Sequence, residues 1–343
     1  TLRRRSFPWR KPLRVLVTSR GAIADLVLCE QPLHDTPLRT GDVEVQVQAA
    51  GLNFKDVLNV LGVLPARFLT AIGDDCAGIV ASIGTMASAH VRRGDMVFGT
   101  VEGCLESFTR ARVNALHVTR RPPSVPARAA CTLPAVWCTM HQVISRAAGG
   151  KGMTALLHAA AGGVGLVGVE YLHWLGVGVQ ATAGQPAKHR LLHDLLPREC
   201  IGNSRAAQAF ALGFGGSIGG QRLHMVCNSL SNDFIAVSLS MLREDGHFQE
   251  IGKRGAWSSA RSVASCARAC FSTIDLVTDV RASSSWYAVQ LGLLAERMRA
   301  NVAHGLPRSE FDIARAHAAF QLLKSGGSVG KVVICSALTS LVS

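Results

Sequence analysis

The chain has 343 residues, 48% of them hydrophobic, enough apolar material for two buried cores. Its 36 basic and 23 acidic residues leave a formal charge of +13, yet the basic residues are dispersed without interleaved aromatics to stack on bases, which argues against a nucleic-acid partner. No apolar run reaches the roughly 20 residues of a membrane-spanning helix, and the basic opening TLRRRSFPWRKP has no hydrophobic signal core behind it, so a cytoplasmic protein is expected.

The basic surface would draw in anionic ligands, such as a phosphorylated cofactor or an acidic carrier protein. A first residue Thr rather than Met is read as a domain taken from a longer polypeptide. Ten cysteines run from Cys29 to Cys335 without a CxxC pair, which fits a reducing compartment and gives no metal site. Cys266 and Cys270 would share a face if their segment were helical, and packing is the preferred reading of that pair.

In chain order, residues 13 to 50 alternate apolar and polar positions in short β-rich runs, LRVLVT and VEVQVQAAG, punctuated by Gly41-Asp42 and Gly51. Further strands are expected at AGIVASIG, residues 77 to 84, and DMVFGT, residues 95 to 100, with Arg93 and Gly94 turning between them. From about Pro134 helical and strand patterns alternate, the mark of parallel βαβ units. TALLHAA reads as a buried strand, VGVEYLHWLG as a helix and GVQATAG as the next strand, with further strands at HMVCNSL and HFQEIGK. The closing FDIARAHAAFQLLKSGGSVGKVVIC reads as strand, helix, turn and strand, returning to the first domain. The expected division is residues 1–133, 134–282 and 283–343, the middle part being a Rossmann-type, doubly wound parallel sheet and the whole an α/β protein.

Between TALLH and the following helix lies HAAAGGVG, His158 to Gly165. Gly162, Gly163 and Gly165 let the backbone turn sharply and bring a pyrophosphate to the helix N-terminus. The spacing is AxxGGxG rather than GxGxxG, and an ordinary Gly-rich turn is the plainer alternative. After the second strand, where sites for the unphosphorylated cofactor carry Asp or Glu, ATAGQPAKHR offers Lys188 and Arg190, and NSR adds Arg205, which favours NADPH.

Around that turn, GLNFKDVLNVLG at 51 to 62, GCLESF at 103 to 108, CNSLSNDFI at 227 to 235 and EIGKR at 250 to 254 complete an ordered set. Together, from about residue 13 to 336, they resemble the enoyl reductase domains of polyketide synthases, with fatty acid synthase reductases as cousins. The resemblance implies a GroES-like β-rich substrate domain with the Rossmann domain inserted, within the medium-chain dehydrogenase/reductase superfamily, and Gly330 to Ile334 rejoining the first domain. It implies no zinc. The cofactor set it implies is Asn53; Ala161, Gly162, Gly163, Val164 and Gly165 in the turn; Thr182 and Gly184 in ATAG; Lys188; Ser204 and Arg205; Asn228 and Ser229; and Ile251 and Gly252.

The implied reaction is reduction of a trans-2-enoyl thioester carried by phosphopantetheine on an acyl carrier protein, beside neighbouring synthase domains. NADPH gives hydride to the β-carbon and the enolate takes a proton at the α-carbon. Lys253, in the IGK motif, and Asp275, in TIDL, match the family's suspected proton-handling pair, and the same ion pair would serve a structural role equally well. Asn53 suits a hydrogen bond to cofactor or thioester better than Lys55 or Asp56 suits proton transfer. Asn228 either faces the nicotinamide ribose or caps its strand.

Three departures matter. The family's LGxYPG segment is LGVLPA here, so Leu64 stands where a tyrosine has been linked to the face of protonation, and a leucine cannot donate a proton. Gln185 replaces the usual Ser after ATAG, and His224 replaces the Asp of VDVVLNSL, permitting an altered cofactor site. A free-standing quinone oxidoreductase and a catalytically silent domain are the alternatives.

Overall fold

The computed structural model describes residues 11–32, 37–64, 72–85, 91–112, 117–217, 221–253, 255–266 and 268–336. Pro65 and Ala66 of LGVLPA, Arg254 of EIGKR and the first ten residues lie outside them. The chain forms two compact units, residues 1–135 with 280–343, and residues 136–279.

In the first unit the long strand Asp42–Leu52 is the organising element. Val43, Val45, Val47 and Ala49 are buried while the residues between them are half-buried, the two-residue period of a strand with one face on a core. It pairs antiparallel with Asp75–Ile83, with Phe108–Arg112 and with Lys331–Cys335. Strands Met96–Thr100 and Val118–Arg120 extend the sheet on one side, and Arg308–Asp312, parallel to Lys331–Cys335, on the other. The C-terminal segment thus completes the sheet begun near residue 42. Leu13–Val17 and Leu26–Glu30 form a separate antiparallel pair. A core of Val47, Leu52, Val57, Val60, Phe320, Val332 and Ile334 joins the main sheet to helices Phe54–Val60 and Ala316–Lys324.

The second unit is a six-stranded, all-parallel sheet. Its strands are, in chain order, Thr154–Leu157, Gly178–Ala183, Ile201–Asn203, Leu223–Asn228, Leu242–Glu250 and Cys270–Thr273. Their spatial order is third, second, first, fourth, fifth, sixth, so the winding reverses between the first and fourth strands. That reversal opens a crevice at the strands' carboxyl ends, where ligands of this architecture bind. Phe210, Ile235 and Leu239 from helices Ala207–Ser217 and Asp233–Met241 pack on Leu156, Val226 and Phe248 of the sheet.

The expected fold class is borne out, with local differences. TALLHAA leaves the sheet after Leu157, because His158 turns into a side-chain network described below. The following helix begins at Gly163 rather than near Val167. Cys266 ends one helix while Cys270 opens a strand, so they do not share a helical face. Among the described residues, no helix is long and apolar enough to cross a membrane.

Candidate functional site

The Gly-rich turn sits at the carboxyl end of the first strand of the parallel sheet. Gly162 caps helix Gly163–Trp174, whose first-turn N–H groups have no partner within the helix and face the turn with the positive end of the helix dipole. A Cβ on Gly165 would lie 2.4 Å from the Ala160 Cα, so only glycine lets helix and turn approach this closely. Ala161 is buried beneath the turn and Val164 is half-buried on its rim.

What fixes the turn is a buried network. The Thr182 hydroxyl donates to His158 Nδ1 at 3.1 Å and accepts from the Ala159 N–H at 3.2 Å. His158 Nε2 donates to Ser238 Oγ at 2.8 Å, because the Ser238 hydroxyl spends its own hydrogen on the Phe234 carbonyl at 2.6 Å. His158 packs against the rings of Phe210 and Phe234, and burial holds its pKa down to about 3, so the ring is neutral. Ala160 N–H donates to the Thr182 carbonyl at 2.8 Å, and Ala159 adopts φ +51°, a left-handed conformation that this network pins. Thr182 therefore acts through the turn's backbone. Ser229 closes the other side with a 3.4 Å hydrogen bond to the His158 carbonyl.

At the ends of the second and third strands, Gly184, Lys188, Ser204 and Arg205 come together. A Cβ on Gly184 would lie 2.6 Å from Arg205 Nε and 2.9 Å from Ser204 Oγ. The Arg205 N–H is anchored on Asn203 Oδ1 at 2.7 Å, and the Ser204 N–H on the Ala183 carbonyl at 3.0 Å. Burial, with the Arg205 charge beside it, lowers the Lys188 pKa. Two cations held close enough to disfavour each other are a ready receptor for a phosphate dianion. Gln185 is the N-cap of helix Pro186–His193 and makes no side-chain cap bond, which a serine there would supply. His224 belongs elsewhere: its Nδ1 meets the Thr154 backbone and hydroxyl at 3.1 Å and its Nε2 lies 2.8 Å from Arg243, at the amino ends of the strands. That departure therefore lies at the opposite end of the sheet from the Gly-rich turn.

The fourth, fifth and sixth strands end in a second polar cluster. Lys253 Nζ lies 3.3 Å from Asp275 Oδ1 and 3.4 Å from the Ile274 carbonyl. Asp275 also accepts from the Thr278 hydroxyl at 3.2 Å and the Val277 N–H at 3.3 Å. Burial raises its pKa, but the Lys253 charge and these donors outweigh that and leave it below the ordinary carboxylate range. Asn228 is fully buried, and its amide is committed: Nδ2 donates to Glu250 Oε2 at 2.6 Å and to the Leu230 carbonyl at 2.8 Å, while Oδ1 accepts from the Leu230 N–H at 3.2 Å. These are the bonds of a strand-end cap. Ile251 and Gly252 follow, held by N–H bonds to the Asn228 carbonyl at 2.9 Å and to Glu250 Oε1 at 2.6 Å. Glu250, 1% exposed, carries no part in the sequence reading. Its signal is faint: Phe248 is the one large apolar residue in the HFQE stretch that it closes, so nothing in the pattern marks Glu250 for burial.

In the first unit, Asn53 is the N-cap of helix Phe54–Val60 and is already engaged. Its N–H donates to Asp56 Oδ2 at 2.7 Å, its Nδ2 to Asp75 Oδ2 at 3.0 Å, and its Oδ1 accepts from Lys331. Lys331 and Asp75, 3% and fully buried, pair at 2.9 Å. Lys55 pairs with Asp74 at 2.7 Å, and burial, with the Asp74 charge, pushes Asp56 up to about 7. Leu64 is half-buried and its carbonyl accepts from the Arg20 guanidinium, which also holds the Asn59 carbonyl at 2.8 Å.

Residues 39–121 match the alcohol dehydrogenase GroES-like domain, and residues 198–334 a zinc-binding dehydrogenase model. Erythronolide synthase EryA2 of Saccharopolyspora erythraea is 36% identical over 324 residues, which cover 93% of this chain and 9% of that synthase. The crystal structure of CurK enoyl reductase superposes with a TM-score of 0.87 at 30% identity, covering 95% of this chain and 99% of that one. The chain belongs to the enoyl reductase domains of polyketide synthases. It is thus an oxidoreductase of the medium-chain dehydrogenase/reductase superfamily, and it spans only 9% to 15% of the curated synthases it matches. A mycobacterial protein, Rv1454c, solved as a complex with NADPH, shares the reductase fold at 23% identity, with a TM-score of 0.83 over 95% of this chain and 100% of that one. Among the described residues, no three His, Cys, Asp or Glu are grouped to hold a metal ion.

Proposed function

We propose that this domain reduces the α,β double bond of a trans-2-enoyl thioester with NADPH, the thioester being presented on the phosphopantetheine arm of an acyl carrier protein within a synthase. The observation that carries the reading is the arrangement of the parallel sheet. Its carboxyl ends bear, side by side, the Gly-rich turn, the Gly184–Lys188–Ser204–Arg205 cluster and the Lys253–Asp275 pair.

Residues Ala161 to Gly165 would receive the pyrophosphate on backbone N–H groups at the helix N-terminus. Lys188, Ser204 and Arg205 would take the 2′-phosphate, with Gly184 leaving room for it. Ile251 and Gly252 would shape the cofactor's nicotinamide side, with Asn228 and Ser229 supporting that wall from behind. Bound there, the cofactor supplies a hydride from C4 of its nicotinamide. Lys253, oriented by Asp275, would stabilise the enolate oxygen or place a proton on the α-carbon. Leu64 offers no proton, so in this reading protonation falls to Lys253 or water. Neighbouring synthase domains and the carrier protein's acidic surface are the partners that the +13 charge would suit.

A quinone reductase would share the cofactor residues but not the need for Lys253. Initial rates of NADPH oxidation with crotonyl thioester and with a benzoquinone separate the two. The reading requires turnover of the thioester that Lys253→Ala impairs; turnover of the quinone alone would replace it.

A further inference from the structure

The Lys253–Asp275 pair is formed by side chains that are more than a third exposed, and a pair in such surroundings does not hold itself in place. Something beneath it must. Lys253 lies three residues beyond Glu250, and among the described residues the intervening loop is anchored through that one residue and its neighbour Asn228. Glu250 Oε1 takes the Gly252 N–H at 2.6 Å and Oε2 takes the Asn228 amide at 2.6 Å. The Ile251 N–H binds the Asn228 carbonyl at 2.9 Å. On the other side, the Glu250 carbonyl accepts the Ile274 N–H at 2.8 Å, immediately before Asp275. Glu250 is therefore tied to the backbone on both sides of the ion pair.

We propose that Glu250 is a positioning residue: its buried carboxylate fixes the Ile251–Lys253 loop through Gly252 and Asn228 and so sets the place of the Lys253 ammonium. The inference rests on the reading of Lys253 as the proton-handling group. A carboxylate suits the task because both oxygens accept, and each holds one N–H donor at 2.6 Å. A glutamine keeps one acceptor oxygen and turns an NH2 donor toward the second donor, so one anchor is lost. Gly252 is the complementary half of the device. A Cβ there would lie 2.6 Å from Glu250 Oε1, so a side chain would push the loop off its acceptor.

The test uses Glu250→Gln and Gly252→Ala, each alone and combined with Lys253→Ala. Turnover of crotonyl thioester, NADPH dissociation constant and hydrogen exchange of the 251–253 amides are read on the same preparations. Each single variant should lower kcat by about 10- to 100-fold, the cost of misplacing a reacting group by about 1 Å; in Glu250→Gln, whose side chain lies behind the cofactor wall, the change in NADPH affinity should be much smaller. Exchange at 251–253 should accelerate at least tenfold. In the Lys253→Ala background neither substitution should lower kcat further, because the two act through one group. Unchanged exchange, or losses that multiply with that of Lys253→Ala, overturn the proposal. Full turnover in Lys253→Ala alone instead overturns the role of Lys253, while accelerated exchange in Glu250→Gln would still uphold the anchoring of the loop. Gly252→Ala leaves the carboxylate in place, so the test survives if Glu250→Gln does not fold.

Discussion

His158 makes the Gly-rich turn sensitive to acid in a way that can be worked out beforehand. Its folded-state pKa is about 3 against an ordinary 6.5, and its surroundings are hydroxyls and phenyl rings without a charge to offset protonation. The unfolded chain takes up a proton below 6.5 that the folded chain refuses. Stability from this residue is therefore complete above that pH and is lost as the pH falls toward the folded value. Between about pH 7.5 and pH 5 the difference in protonation amounts to about 1.5 pKa units, or roughly 2 kcal/mol. Asp56 and Glu106, both pushed up to about 7 by burial, act in the opposite direction, so the slope of the wild type alone does not isolate His158. The comparison must be with His158→Gln and His158→Asn, which keep a donor and an acceptor but do not titrate. The opening free energy of strands Thr154–Leu157 and Gly178–Ala183, from hydrogen exchange corrected for intrinsic rates, reports on this unit. At neutral pH the variants should be about 1–3 kcal/mol less stable for the bonds they misplace. That deficit should shrink by about 2 kcal/mol at pH 5. A deficit that is the same at both pH values would refute the neutral, buried imidazole.

Three further outcomes follow from the geometry. Lys188→Ala and Arg205→Ala should each weaken NADPH binding by about tenfold or more, the worth of one charge-assisted bond, while NADH binding changes little; titration with both cofactors checks this, and an unaltered preference removes the phosphate assignment. Lys331→Met should cost about 3–5 kcal/mol by leaving Asp75 charged and buried, and Asp75→Asn in the same chain should recover part of it; a loss under about 1 kcal/mol in urea unfolding would contradict the pairing. Gln185→Ser should stabilise helix Pro186–His193 by up to about 1 kcal/mol through the missing cap, read as slower amide exchange in its first turn; unchanged exchange would mean that no cap forms.

The fold was legible where periodicity was strong. The alternation of VEVQVQ and the succession TALL, Gly-rich turn, helix, GVQATA announced a β-rich part and a parallel sheet. Elements that the structure adds are weak in that signal. Ile201–Asn203 has three residues, Cys270–Thr273 is a half-exposed edge, and the fifth strand begins with the charged run LRED, which reads as a loop. Helix Gly163–Trp174 starts inside the glycines, where propensity argues against helix and packing against Ala160 decides. At the site, residue types that advertise themselves were visible: glycines before a helix, cations after a strand, a lysine after IG. The supports were not. Burial turns His158 and Glu250 from ordinary polar residues into the anchors of two loops, and burial depends on partners 24 and 80 residues away for His158 and 22 for Glu250. The partners of Asn53 and Asn228, Lys331 and Glu250, are likewise distant in sequence.

In the proposed reaction, hydride and proton reach adjacent carbons of an enoyl thioester, the first from NADPH and the second with the help of Lys253. Mass spectrometry and NMR of the product formed from crotonyl thioester test it directly when the C4 hydrogens of NADPH are deuterium, and again when the solvent is deuterium oxide. Deuterium is expected at the β-carbon in the first case and at the α-carbon in the second, with the same labelling but slower formation in Lys253→Ala. No saturated product from the wild type, or cofactor deuterium at the α-carbon, would contradict it.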